Sequence, residues 1–300
     1  MRPKVSSLII LYHPQSPTAM QQRVDALFAN GVDHVYFYDN SHPPFDCGFT
    51  DLYRGKLTII SFNQNRGISE AINYTLRLAK ELEFHFLWLF DQDSIVSNND
   101  TLITLLDDFY FYENFFLKQA ALISPLIYDT VSNQLKHPLS LKIKPITNIP
   151  EVTFQVGQVI TSGMLINLNL PLSDLLHDLN LFIDWVDIEF CHRLVSNKYA
   201  LLVSPRAVLE HSLGDKATSI FGYTFPLRNP LRHYYMIRNV IYLILYSDSL
   251  SISSKFIFSI TLIKYFSVAL FSPRIRNIRA IGLAINHGLF CRMGPLNKNL

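Results

Sequence analysis

Along the first 127 residues, short apolar runs alternate with stretches whose apolar positions recur at helical spacing. Residues 5–11, 34–38, 57–61, 84–90 and 120–127 are largely apolar, of strand length, and closed by turn formers. Residues 18–30, 68–81 and 100–118 read as helices, the first ending at Gly31. The alternation predicts βαβ units, and so an α/β fold built on an open, mostly parallel central sheet. Ligands of such sheets bind outside the carboxyl ends of the strands. Three polar signatures fall at those ends: YDNS at 38–41, NQNRG at 63–67 and DQDS at 91–94.

Composition narrows the class. A chain of 300 residues, 49% hydrophobic, can bury one large α/β core or two smaller ones. Cys47, Cys191 and Cys291 are far apart and never form a CxxC pair, so neither a disulfide framework nor a cysteine-rich zinc site is expected. The apolar segment near the N-terminus is closed by Tyr12, His13 and Pro14, which reads as a first strand and not as a signal peptide, and a cytoplasmic location is the expectation. The eleven glycines form neither a GxG pair nor a GxxxxGK, which removes the dinucleotide fingerprint and the Walker loop.

Charge changes the picture at the C-terminal end. Residues 217–300 hold ten Lys or Arg against Asp248 alone, a net +9, which leaves −7 for residues 1–216 of a chain whose total is +2. The basic third also contains the apolar stretch 255–271, in which Phe256, Ile260, Ile263 and Phe266 recur at helical spacing. The sixteen residues 256–271, interrupted by Lys264, are too few for a span of about 20 apolar residues, so the stretch suits an interface with anionic lipid, with Arg274, Arg276 and Arg279 meeting phosphates. A helix packed as ordinary core is the competing reading. No nucleic-acid-binding motif is present.

Two carboxylates at a strand end, Asp91 and Asp93, point the same way in an extended chain. Mg²⁺ and Mn²⁺ take oxygen ligands and share them with substrate phosphates, so this pair is a candidate metal site beside a diphosphate. A pair of Asx-turn residues closing a strand is the structural alternative.

Taken in order, LYHP, YDNS, NRGISEAIN and DQDS, then Ser162–Gly163, FIDWVDIEFCHRL at 182–194, AVLEHSLGD at 207–215 and YYMIRN at 234–239, resemble the family 2 glycosyltransferases of the GT-A fold, most closely the bacterial rhamnosyltransferase branch. The resemblance covers roughly residues 5–240. It implies a catalytic domain over 1–225, with a nucleotide-binding half at 1–127 and an acceptor-side half at 128–225, followed by a helical, basic extension at 226–300. It implies a nucleotide-sugar donor, dTDP-rhamnose by the branch, a lipid-linked or growing surface glycan such as an O-antigen as acceptor, and Mg²⁺ or Mn²⁺ as cofactor. Asp39 would accept the imide N–H of the base, with Tyr12, Asn65, Gly67, Asp91 and Arg238 on the donor side. Asp93, Asp91 and His211 would face the metal. Leu11 and His13 depart from the Thr and Asn that the family carries beside this tyrosine, which puts first-loop contacts in doubt.

An inverting transfer needs a base for the acceptor hydroxyl, and residues 182–190 offer Asp184, Asp187 and Glu189. If Asp187 begins a helix, Glu189 lies about 200° further round and cannot share its face. The family pattern places an Asp five or six residues before an Arg, which selects Asp187 with Asp184 as runner-up. Two other classes fit less of the chain. A haloacid-dehalogenase-type phosphatase would use the DQD loop but needs a further Lys and a second acidic pair, and Asp107 and Asp108 fall on the next helix. A non-enzymatic membrane-associated binding protein would not need the ordered polar signatures.

Overall fold

The computed structural model describes residues 2–136, 151–211, 217–220, 223–226, 229–271 and 275–296. The N-terminal alternation is Val5–Leu11 (β1), Pro17–Ala29 (α1), His34–Asp39 (β2), Leu57–Ser61 (β3), Ile68–Glu81 (α2), Phe86–Asp91 (β4), Thr101–Phe116 (α3) and Ala120–Asp129 (β5). Each element expected from the pattern is present, with bounds shifted by a few residues at most. One shift concerns β4: the Phe84 amide still bonds the Ala79 carbonyl at 3.0 Å as α2 closes, so the strand starts at Phe86 and carries Asp91 as its last residue.

The chain continues with Gln134–Lys136 (β6), Phe154–Val156 (β7), Leu165–Asn167 (β8), the short helix Leu172–Leu175 (α4), Val186–Ser196 (α5) and Ala200–His211 (β9). A hairpin of Ala217–Ile220 (β10) and Tyr223–Pro226 (β11) precedes three helices, Pro230–Tyr246 (α6), Ile252–Phe271 (α7) and Ile275–Leu289 (α8). Among the described residues nine strands form one sheet, in the order β3-β2-β1-β4-β8-β5-β9-β7, with β6 paired to β5. The pairs β1–β2, β2–β3, β1–β4 and β5–β9 are parallel, while β8 runs antiparallel to both β4 and β5. β5 therefore runs in the same direction as β4, as the expected mostly parallel sheet has it. A three-residue strand from the second half of the chain separates β4 from β5.

The sheet is buried on both faces, as parallel strands require. Along β4, Phe86, Trp88 and Phe90 face the layer containing α1 and α3, and Leu87 and Leu89 face the layer of α2, α4 and α5. Two further clusters lie beyond. Residues Leu181, Phe182, Trp185, Val186 and Ile188 are sandwiched against α6, α7 and α8, with Trp185 edge-on to Phe258 at 4.7 Å and Phe182 stacked on Tyr235 at 5.3 Å.

One buried histidine makes the core sensitive to acid. The backbone of His177 exchanges two hydrogen bonds with the side chain of Asn73 (2.7 and 2.8 Å), and its ring stacks on Phe190 at 4.0 Å. Burial, with the nearby Arg193 charge, lowers its pKa to about 3. The folded value lies below the unfolded value near 6.5, so the unfolded chain binds the extra proton in between and this contribution to stability is lost as pH falls below about 6.5. Chemical denaturation should show the stability of wild type relative to His177→Leu falling by about 2 kcal/mol from pH 7.5 to pH 5. A gap that does not change with pH would mean that the ring takes up its proton in the folded state.

Candidate active site

Strand order reverses at β1, which leaves a crevice between the carboxyl ends of β1 and β4 where open α/β sheets hold ligands. The Gln92 side chain closes its floor, accepting from the Tyr12 amide at 2.8 Å and donating to the Tyr12 carbonyl at 3.2 Å. Tyr12 itself is 55% exposed beside this tie. Past Asp91, the chain is held against the far strand. Ile95 and Glu210 exchange backbone hydrogen bonds of 2.9 and 3.0 Å, and Ser97 donates to the Glu210 carboxylate at 2.6 Å. This tie carries His211, the last residue of β9, to the two aspartates.

Asp91, Asp93 and His211 each present a ligand atom within 4.8 Å of the others. His211 Nδ1 lies 3.4 Å from Asp93 and Nε2 lies 3.9 Å from Asp91, and Ser94 Oγ stands 3.0 Å from Nδ1 while touching the Ser162 hydroxyl. Desolvation raises the pKa of Asp91; His211 opposes it, Asp93 reinforces it, and Arg232 opposes it. Two carboxylates and an imidazole, with half of the Asp93 side chain open to solvent, fit a hard divalent cation that completes its shell with water and phosphate oxygens. A partner on Nδ1 would leave Nε2 for the ion, the usual way in which a second contact orients a histidine ligand.

On the donor side the expected residues are drawn into the loops themselves. Asp39 is fully buried, and its two carboxylate oxygens accept from the Ser41 amide at 2.9 Å and the Phe45 amide at 2.7 Å. Asn65 accepts from the Gly67 amide at 2.9 Å, and Asn40 accepts from the Arg66 amide and donates to the Gly67 carbonyl. Gly67, at φ +85°, does admit a close backbone approach, but from Phe182: a Cβ there would stand 2.5 Å from the Phe182 carbonyl oxygen. That carbonyl also accepts from the Ile68 amide at 2.8 Å.

The docked segment leads into the acidic turn. Asp184 and Trp185 are both left-handed (φ +62° and +69°), a strained pair for residues with side chains. Asn239 of α6 clamps the turn by donating to the Ile183 and Asp184 carbonyls, 2.8 Å each. The Asp184 carboxylate accepts from Arg232 at 2.6 Å. Asp187 sits in the first turn of α5 and accepts from the Ile188 amide at 2.9 Å. Desolvation raises its pKa to about 7, the Ile188 bond opposing and Asp184 and Asp91 adding to the rise. Glu189 is buried against Arg193, which also holds the Asp174 and Leu176 carbonyls, so it serves the packing of α5.

Arg238 requires a correction. It is fully buried, donates to Asn239 and to the Gly294 and Asn180 carbonyls, and lies over the Tyr234 and Tyr235 rings, so it secures the helices and does not face a diphosphate. Among the described residues, Arg232 of the same helix is an arginine whose charge reaches Asp91, after His211. Gln92, Ser94 and Ser162 are further residues whose roles the sequence reading missed, although all three lie inside quoted motifs. Asp108, the nearest acid for a phosphatase, is paired with Arg206 and bonded to Ser204, away from Asp91.

No family model matches the chain. The dTDP-rhamnosyl transferase RfbF of Shigella flexneri is 29% identical over 196 residues, 63% of this chain and 63% of that protein, so the chain spans less than two thirds of that relative. S. aureus TarS 1-349 in complex with UDP-GlcNAc matches with a TM-score of 0.58 over 95% of this chain and 81% of that one, at 16% identity. GalNAc-T7 with UDP, GalNAc and Mn2+ matches at 0.55 over 90% and 58%, at 12% identity. The fold is that of the GT-A glycosyltransferases. Within it, the sequence relative is named a dTDP-rhamnosyl transferase, and the ordered motifs resemble the family 2 type.

Isothermal titration with Mn²⁺ tests the three-residue cluster. Asp91→Asn, Asp93→Asn and His211→Ala should each raise the Kd at least about tenfold, since each removes a ligand worth 1.4 kcal/mol or more. Unchanged affinity in all three would place the ion elsewhere.

Proposed function

We propose that this chain is an inverting glycosyltransferase that moves a sugar from a nucleotide-sugar donor to a glycan acceptor. The observation that carries this reading is the meeting of Asp91, Asp93, His211 and Asp187 at the carboxyl ends of a GT-A sheet. The name of the sequence relative favours dTDP-rhamnose as donor; the acceptor that the motif resemblance adds is a lipid-linked or growing surface polysaccharide, such as an O-antigen. Mg²⁺ or Mn²⁺ bound at Asp91, Asp93 and His211 would neutralise charge on the departing nucleoside diphosphate.

The chain's own residues supply the rest. Tyr12 and Gln92 line the crevice for the diphosphate end of the donor, and the 39–45 and 63–67 loops border the nucleoside. Asp187 removes the acceptor hydroxyl proton as that oxygen bonds the anomeric carbon and the bond to the phosphate oxygen breaks. Its pKa near 7 suits a base working at neutral pH. Asp184 is tied to Arg232 and favours a positioning role.

We propose further that α7 rests on the anionic inner face of a membrane. Among the described residues no helix is long and apolar enough to cross one. One face of α7 packs inward through Phe258, Leu262 and Tyr265, while Ile252, Phe256, Ile260 and Ile263 are exposed on the other, with Lys264 beside them. Arg279 on α8 is exposed as well. Arg274 lies outside the described residues, as does the Arg276 side chain.

Two experiments follow. With dTDP-rhamnose, UDP-glucose, UDP-galactose and UDP-GlcNAc in turn, donor turnover should be greatest for dTDP-rhamnose and should fall as pH drops below about 7, because protonation removes the base. Asp187→Asn should cut turnover by about 10² to 10⁴ with nucleotide affinity kept, and a matching loss of affinity would make Asp187 structural. In co-sedimentation, vesicles containing phosphatidylglycerol should retain the protein less as salt rises and less again after Ile260→Ser or Lys264→Gln, because charge attraction is screened over about 10 Å at 0.1 M salt. Protein left in the supernatant at low salt would end the docking proposal.

A further inference from the structure

We infer that the short segment after α8 is part of what aims Asp187, and that Arg238 and Asn239 are the positioning residues that connect the two. The inference rests on the reading of Asp187 as the base and adds a control on that residue from a segment distant in sequence.

The contacts run without a gap. The Gly294 carbonyl accepts from the Arg238 guanidinium at 2.6 Å, and the Asn180 carbonyl accepts from the same group at 3.4 Å. Arg238 Nε and one of its terminal nitrogens both donate to Asn239 Oδ1, at 2.9 and 2.8 Å. The Asn239 amide nitrogen then donates to the Ile183 and Asp184 carbonyls, 2.8 Å each. A guanidinium only donates and a backbone carbonyl only accepts, so the Asn239 amide has a single orientation, with both lone pairs and both N–H groups engaged. Both residues are fully buried, where a group left unpaired would be costly.

The turn that this relay grips is one that needs holding. Asp184 and Trp185 are consecutive left-handed residues with side chains, and Trp185 caps α5 without a side-chain hydrogen bond. Such a backbone persists only where its surroundings over-determine it. Asp187 stands in the first turn of α5, so a rotation at 184 or 185 would swing its carboxylate away from the attacking oxygen, and a misplacement of about 1 Å is enough to cost a large part of the rate. The other end of the relay is fixed as well. α8 crosses α6 at backbone distance: a Cβ on Gly288 would stand 2.9 Å from the Arg238 carbonyl oxygen. Beyond α8, the Arg292 amide bonds the His287 carbonyl at 2.8 Å, the Gly294 amide donates to the Asn180 carbonyl at 3.4 Å, and the Leu296 amide donates to the Tyr235 hydroxyl at 2.8 Å. Gly294 lies at φ +83°, so the direction of its carbonyl depends on a conformation that glycine adopts readily. The segment is thereby seated on Arg238, and its seating reaches the acidic turn through Asn239.

Kinetics and amide exchange separate positioning from a purely structural role. Asn239→Asp keeps the shape and still accepts from Arg238, but loses both donors to the turn. Donor turnover at saturating nucleotide sugar should fall about 10- to 100-fold with affinity for dTDP and UDP kept. Amide exchange at residues 183–188 should rise about tenfold or more while that of β1 and β4 stays unchanged. Arg238→Lys, which keeps the charge and loses the fork, should show the same pattern more weakly. The double variant should fall no further than Asn239→Asp alone, because the arginine acts through the asparagine. Gly294→Val strains only the backbone after α8, since a Cβ there would meet no described atom within 4 Å, and it tests the link even if the buried variants fail to fold. It should lower turnover about three- to tenfold with nucleotide affinity unchanged. Wild-type turnover in Gly294→Val would remove the segment from the relay, and wild-type turnover in Asn239→Asp would remove the clamp; either result overturns the inference, as does a loss of turnover matched by a loss of nucleotide affinity. If the wild-type chain turns over none of the four nucleotide sugars, the transferase reading fails and takes this inference with it.

Discussion

Like-charge crowding governs the carboxyl end of this sheet. Asp91, Asp93, Asp184 and Asp187 come from two stretches of chain and meet where β4 ends and α5 begins. Left alone, these carboxylates would repel and take up protons, and desolvation already pushes Asp91 and Asp187 in that direction. The surrounding elements read as answers to this problem. The tie between Ile95 and Glu210 delivers a histidine, α6 delivers an arginine, and the first turn of α5 offers Asp187 an amide at 2.9 Å. The same low-dielectric crowding that costs stability leaves one carboxylate titrating near neutrality.

The second condition is that two stretches distant in sequence must hold one register. Backbone contacts achieve this with little help from long side chains. Phe182 lays its carbonyl on Gly67 and Ile68, His177 and Asn73 exchange paired bonds, and Ser69 donates to the Leu181 carbonyl. Each of these contacts joins α2 or its N-terminal cap to the segment leading into Asp187, and so ties the donor-side loops to the acidic turn. The C-terminal helices close the other side of that segment, with Trp185 and Phe182 as the buried anchors.

Much of this was legible in the sequence where a signal is local. Residues 5–11, 57–61 and 68–81 are recovered to the residue, since a continuous apolar run or an i, i+4 stripe is written within one element. The cluster of Asp91, Asp93 and His211 was legible through ordered motifs. What failed depended on partners far along the chain. β8 has three residues and no periodicity of its own, and Gly67 announced a close approach without saying whose. Arginine identity was the hardest signal. Arg232 and Arg238 lie on the same helix about 240° apart, and a residue type does not disclose which one faces the site and which is swallowed by tyrosines.

The antiparallel insertion of β8 has a consequence for how the protein is made. Synthesis proceeds from the N-terminus, and until residues 165–167 emerge the β4 strand FLWLFD has no neighbour on that side. Its row of open amides and carbonyls, carried by one of the most aromatic strands of the chain, is then a template for pairing with another nascent molecule. Ribosome-bound intermediates shorter than this length should therefore be the aggregation-prone ones, and chaperone demand should fall once β8 has been added to the sheet.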